Sequence, residues 1–159
     1  MNTHQKLITD FYAAFQNKDW KTMQACYHDE VSFQDPVFPS LKGKDAKAMW
    51  HMLTNASKDL ILEYNSVEAN DHEGSAHWEA RYTFSKTGRK VHNIIEAKFE
   101  FKEGKIIRHT DKFSFWRWSR MALGTPGLFL GWTPVIRNKV RETAKNNLKL
   151  FKVRYPQYQ

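Results

Sequence analysis

From about residue 60 to residue 118 the hydrophobic period of this chain is two, where most of what precedes is helical, and that change restricts the fold more than any other feature. Before it, apolar residues recur at helical spacing; after it, they alternate. "LILEYNSVEAN", "SAHWEARYTFS", "RKVHNIIEAKFEF" and "KIIRHTDKFSFWRW" read as four strands parted by the turn signals "NDHEG", "KTG" and "KEG". The last two separators are short enough for hairpins, so these strands run antiparallel. Upstream, "THQKLITDFYAAFQN" spaces Leu7, Phe11, Ala14 and Phe15 as one helical stripe, with Thr3 as a cap. A second short helix starts at Asp19 and carries Trp20, Met23 and Tyr27, and "GKDAKAMWHMLTNASKD" makes a third, with Ala46, Met49, Trp50 and Leu53 on one side. Between them "EVSFQDPVF" alternates as a short strand that Pro36 ends. Helices followed by a long antiparallel meander predict an α+β fold in which helices cover one face of a curved sheet.

The 159 residues suit one domain with a sizeable core. No apolar run approaches a membrane span, and "MNTHQKLITD" lacks the apolar centre of a secretory signal, so the expectation is a soluble, cytoplasmic protein. Cys26 is the only cysteine, which excludes an intrachain disulfide and a cysteine zinc site. No metal or organic cofactor is expected: histidine pairs at helical ligand spacing and phosphate-binding glycine loops are both missing.

Period-two counting places polar groups on otherwise apolar faces. On the last strand Ile107, His109, Asp111, Phe113 and Phe115 share one side, opposite the more polar Ile106, Arg108, Thr110, Lys112, Ser114 and Trp116. The inner set of "SAHWEARYTF" is Ala76, Trp78, Ala80, Tyr82 and Phe84; that of "VHNIIEAKFEF" is Val91, Asn93, Ile95, Ala97, Phe99 and Phe101. The first strand turns Val31, Phe33 and Asp35 inward, while His92 falls outside. Burying a carboxylate without partners costs many kcal/mol, so Asp35, Asn93, His109 and Asp111 imply either a polar spot inside an apolar pocket or paired core polar groups. Asp35 before Pro36 also fits a turn, and His109 and Asp111 can satisfy each other.

The segments "FYAAFQNKDWKTMQACYHDEVSFQDPVF", "GKDAKAMW" and "IIRHTDKFSF", in that order, resemble the nuclear transport factor 2-like superfamily, and within it the SnoaL-like branch that also holds steroid delta-isomerases and limonene epoxide hydrolases. The resemblance covers residues 3 to 117 and implies a cone-shaped sheet around an apolar small-molecule pocket, in a protein that forms homodimers through the convex side. It implies that Asp35 in "FQDPV" matches the proton-moving base of the isomerases. Their oxyanion donors, a tyrosine on the first helix and a protonated aspartate on the penultimate strand, fall at Phe11 and Ala97 here. Asp111 matches the acid or base of SnoaL-type aldol cyclisation; the hydrolases' Asp-Arg-Asp group finds no inward arginine.

On this reading Asp35 or Asp111 takes a proton beside a carbonyl, and His109 or Asn93 supports the enolate oxygen. Trp50, Trp78, Tyr82, Phe33, Phe99 and Phe113 line the pocket. The alternative is a ligand-binding or dimeric scaffold without turnover. Residues 1–118 form the SnoaL-like domain and 119–159 a basic, aromatic helical extension packed on it, with "RMALGTPGLFLGW" a loop or broken helix before a helix capped by Thr133. Ile136, Val140, Ala144, Leu148 and Phe151 make that last helix's apolar stripe. From residue 116 onward nine cations face Glu142 alone, which accounts for the whole net charge of +8. Charge confined to a tail without a binding motif argues against nucleic acid. The basic helix fits either packing on the domain or contact with an anionic membrane surface.

Overall fold

A computed structural model describes residues 1–159. Helix α1 (Thr3–Gln16) begins at Asn2, whose side chain accepts from the Gln5 N–H while Gln5 answers the Asn2 N–H. Asn2, not Thr3, is therefore the cap, because this reciprocal pair satisfies two free donors. Helix α2 (Trp20–Ala25) starts at Asp19. Tyr27 is not on it but opens strand β1 (Tyr27–Gln34). A two-residue strand β2 (Leu41–Lys42) and helix α3 (Lys44–Ala56) follow. The meander is β3 (Ile61–Ala69), β4 (Glu73–Phe84), β5 (Arg89–Lys102) and β6 (Lys105–Lys112).

These strands form one curved, open sheet in the order β2-β1-β6-β5-β4-β3, antiparallel throughout except where β1 runs parallel to β6. Helix α1 lies against the sheet, with the Gln16 amide donating to the Leu62 carbonyl and the Asn2 amide to that of Ala69. The core between helices and sheet is aromatic: Phe11, Tyr12, Phe15, Tyr27, Phe33, Trp50, Trp78 and Phe99 are all buried.

Strand β6 departs from the expected parity at one place. Glu100 pairs with Arg108 but Phe101 pairs with Ile106, so β6 carries one extra residue there. Such a bulge resets the alternation. Ile106 is buried and Ile107 turns to the convex side, the reverse of the expected arrangement, whereas His109 and Asp111 keep the inward direction. The strand also ends earlier than expected. Ser114 accepts from the Arg117 N–H and starts helix α4 (Phe115–Leu123), so Phe115 and Trp118 are helical and a boundary drawn at residue 118 falls inside α4.

Gly124, at φ +72, breaks the chain between α4 and α5 (Thr125–Leu130). Helix α6 (Pro134–Arg154) has Pro134 in its first turn, but the Thr133 hydroxyl donates to the Leu130 carbonyl instead of capping α6. Its stripe is used: Ile136 and Val140 rest on a cluster of Val91, Phe115, Trp118 and Ala122, while Ala144, Leu148 and Phe151 join the main core. A final turn (Pro156–Tyr158) brings the Tyr158 hydroxyl to 2.9 Å from His51 Nδ1, and Lys152 bonds Asp45 at 2.6 Å. No helix is long and apolar enough to cross a membrane.

Helix α5 is held close to α4 by glycine. A Cβ on Gly127 would strike the Ser119 carbonyl, and one on Gly131 would strike the Ser119 hydroxyl. Gly127→Ala should therefore pry α5 away at a cost of about 2 kcal/mol. Amide exchange in residues 124–131 should rise in the variant, and unchanged protection there would refute the close approach.

Candidate active site

Inward residues of β1 and β6 build a hydrogen-bonded chain across the core. Trp50 on α3 donates its indole N–H to the Tyr27 hydroxyl at 2.8 Å, and that hydroxyl lies 2.7 Å from His109 Nδ1. His109 Nε2 lies 2.9 Å from Asp111 Oδ1, which also accepts from the Trp78 indole at 3.3 Å. One proton arrangement satisfies every member: Tyr27 donates to Nδ1, and the imidazole proton sits on Nε2 facing the carboxylate. The chain thus runs from an indole through a hydroxyl and an imidazole to a carboxylate.

Aromatic rings fix the imidazole. Trp50 stacks parallel to it, Phe99 lies 4.4 Å away between ring centres, and Phe11 and Phe33 meet it edge-on. His109 has no exposed surface and Asp111 is 3% exposed. Asp111 Oδ2, by contrast, has no hydrogen-bond partner in the chain and remains chemically free.

Tyr12 was not singled out by the stripe of Leu7, Phe11, Ala14 and Phe15, yet it is fully buried. Its hydroxyl lacks any partner. Burial first, and then the charge of Asp111, holds the phenol well above its ordinary range, so it stays a proton donor. The spacing of Ile8, Tyr12 and Phe15 carried the missing signal, since positions i, i+4 and i+7 share a helical face. The resemblance placed Phe11 where the isomerases have a tyrosine; Tyr12 brings a hydroxyl into the same core. It likewise placed Ala97 where they have an aspartate, and Ala97 pairs directly with Asp111 across β5 and β6. A carboxylate is thus present at that level of the sheet, carried by the neighbouring strand.

Asp35 lies just past the end of β1 and is partly buried. Its Oδ1 accepts from the N–H groups of Val37 at 2.7 Å and Phe38 at 2.6 Å, so it does shape the turn that runs through Pro36. Burial pushes its pKa up to about 7, against the pull of the Phe38 N–H; the charge of Asp111 adds to the rise. Arg141 of α6 opposes that rise and donates Nε to the Pro36 carbonyl at 2.9 Å. Two carboxyls with different surroundings therefore sit within electrostatic reach of each other.

Asn93 is buried on β5 opposite Ala80 and makes no side-chain hydrogen bond. Tyr82 accepts from the Trp118 indole at 2.9 Å, and it and Phe113 are only partly buried. Asp35, Tyr82 and Phe113 thus keep some surface in solvent, whereas Phe33, Trp50, Phe99 and His109 are enclosed. His92, expected in solvent, bonds Glu79 at 2.6 Å on the convex face. Two surface cavities lie elsewhere: one of about 440 Å³ beside Arg89, Arg120 and Leu128, and one of about 310 Å³ on the convex side between Glu30, Ser32 and Arg108. No three histidine, cysteine or acidic side chains cluster to hold a metal ion.

Helices over an open curved sheet, with an acid and a histidine on its inner face, define a class that comparison makes specific. The SnoaL-like domain family matches residues 8–109, and the chain belongs to that family. Among solved structures, a candidate polyketide cyclase from Xanthomonas campestris pv. campestris is 21% identical with a TM-score of 0.63, over 75% of this chain and 96% of its own. An LEH-like epoxide hydrolase of M. tuberculosis is 17% identical, with a TM-score of 0.61 over 79% and 92% of the two chains. An NTF2-like protein from Burkholderia pseudomallei is 15% identical, with a TM-score of 0.66 over 76% and 98%. At such identities these likenesses show the fold. No curated protein matches the chain.

Proposed function

We propose that this protein is a cofactor-independent acid–base enzyme acting on an apolar carbonyl or ring substrate, of the isomerase, cyclase or epoxide hydrolase kind. The observation that carries the reading is the buried chain Trp50–Tyr27–His109–Asp111, ending on a carboxylate whose second oxygen is free. In an isomerisation Asp111 removes a proton from the carbon beside the carbonyl. The electron pair moves to the carbonyl oxygen, which takes a hydrogen bond from Tyr12 or Asn93, and Asp111 returns the same proton at another carbon; ionised Asp35 can carry the proton in place of Asp111 by the same two transfers. His109 positions Asp111, and its own proton on Nε2 steadies the charged form. Tyr82 and Phe113, both partly exposed, offer flat apolar surface for a ring substrate. The reading places the protein in the cytoplasm as a homodimer joined through the convex face of the sheet, which sedimentation velocity would test.

Expected behaviour separates chemistry from binding. Against a panel of apolar ketones, epoxides, steroids and polyketide-like aromatics, thermal shift should find ligands for wild type and for Asp111→Asn alike. Product analysis should show turnover reduced by about a hundredfold or more in the variant. Tyr12→Phe should lower kcat with little change in KM, as loss of a donor used only in the transition state does. Equal turnover by Asp111→Asn would overturn the assignment. A second reading, a binder or scaffold without turnover, is favoured by the tight packing around His109, and ligands bound without conversion would establish it.

A further inference from the structure

Helix α6 spends its apolar stripe on the domain, but α5 and the turn after it do not. Phe129 is 66% exposed, Trp132 69% and Val135 74%, and Leu128 and Leu130 are exposed beside them. These side chains stand on a rigid base: the Trp116 indole donates to the Leu128 carbonyl at 3.2 Å and the Trp132 indole to that of Phe129 at 3.0 Å. The glycine contacts with Ser119 hold the same turn against α4. Folding gains nothing from placing five large apolar side chains in water, and a patch of this kind marks a contact surface.

The surroundings of the patch are cationic. Arg89, Lys90 and Arg120 line the 440 Å³ groove together with Met121, Gly124, Thr125 and Leu128, so Leu128 belongs to groove and patch at once. No acidic residue lines it. Residues 116–159, which include the patch, carry the entire net charge of +8. Self-association through this face would bring two such tails together against their repulsion. An anionic bilayer offers both complements, negative headgroups for the groove and an acyl boundary for Phe129 and Trp132.

We propose that α5 and the turn to α6 dock this protein on an anionic phospholipid surface, with Leu128, Phe129, Leu130 and Trp132 inserted and Arg89, Lys90 and Arg120 meeting lipid phosphates. The patch lies outside the candidate active site, so this inference stands apart from the proposed chemistry. Co-sedimentation tests it, with phosphatidylcholine vesicles containing about 30% phosphatidylserine and with phosphatidylcholine alone. Wild type should pellet with the anionic vesicles only. Phe129→Ser with Trp132→Ser, and separately Lys90→Gln with Arg120→Gln, should each lower the bound fraction at least about tenfold with thermal melting unchanged. Wild type remaining in the supernatant would overturn the proposal, as would equal pelleting by the serine pair. So would self-association of wild type that the serine pair abolishes without any vesicle binding.

Discussion

Replacing His109 by leucine should cost about 3–5 kcal/mol of unfolding free energy, far more than the loss of one ring in an aromatic core would suggest. The imidazole receives the Tyr27 hydroxyl on one side and faces Asp111 on the other, and it has no contact with water. Leucine fills much of the volume but strands a buried carboxylate that keeps only the Trp78 indole as a donor. The penalty is that of an uncompensated charge, so it should shrink when the charge is removed too. His109→Leu combined with Asp111→Asn should recover about half of the loss, giving a coupling of roughly 2 kcal/mol in a double-mutant cycle from urea unfolding. Strictly additive effects would mean that histidine and aspartate do not act as a pair.

Asp35→Asn should behave in the opposite sense and only at higher pH. An unfolded aspartate titrates near 4, whereas burial raises Asp35 in the folded protein to about 7. Between those values the folded chain holds a proton that the unfolded chain has released, so stability declines as pH rises through this window. Asparagine never carries the charge, and its carbonyl can still accept from the Val37 and Phe38 N–H groups. The variant should nearly match wild type near pH 4 and exceed it at about pH 8 by roughly 4 kcal/mol, or about 10 °C in Tm. A difference that stays flat across this range would show that Asp35 is ionised in the folded state at ordinary carboxylate pH. The same titration sets an expectation for catalysis, in which steps needing ionised Asp35 gain rate through about pH 7 and level off above it.

The antiparallel meander was legible because alternation and turn residues agree along β3 to β6. Parity counting served His109 and Asp111 because both lie beyond the bulge, on the side from which β6 resumes strict alternation. It failed at Ile107, since an inserted residue shifts every position before it and leaves no compositional trace. "FSFWRW" misled because aromatic and polar residues alternate there, although Ser114 is a helix cap and Phe115, Trp118 and Ala122 follow at helical spacing. Tyr12 was lost for a related reason: the inner stripe of α1 is wide enough to bury two neighbouring aromatics, Phe11 and Tyr12. Contacts that depend on tertiary placement, such as Tyr27 with His109 or Arg141 with Pro36, leave no local pattern to read.

The extra residue in β6 also decides how the site is closed. Tyr27 pairs with Ile106 ahead of the bulge, whereas Phe33 pairs with His109 beyond it, and the β1–β6 ladder is itself irregular between Tyr27 and Ser32. The bond from Tyr27 to His109 therefore spans the hinge of the strand like the string of a bow. Excising Ile107 would leave Ile106, His109 and Asp111 in unbroken alternation, and every inward side chain would still point inward. The strand would straighten all the same, and the phenol would be carried away from the imidazole. The shape of the sheet, more than the identity of any one side chain, keeps the two ends of that polar chain in contact.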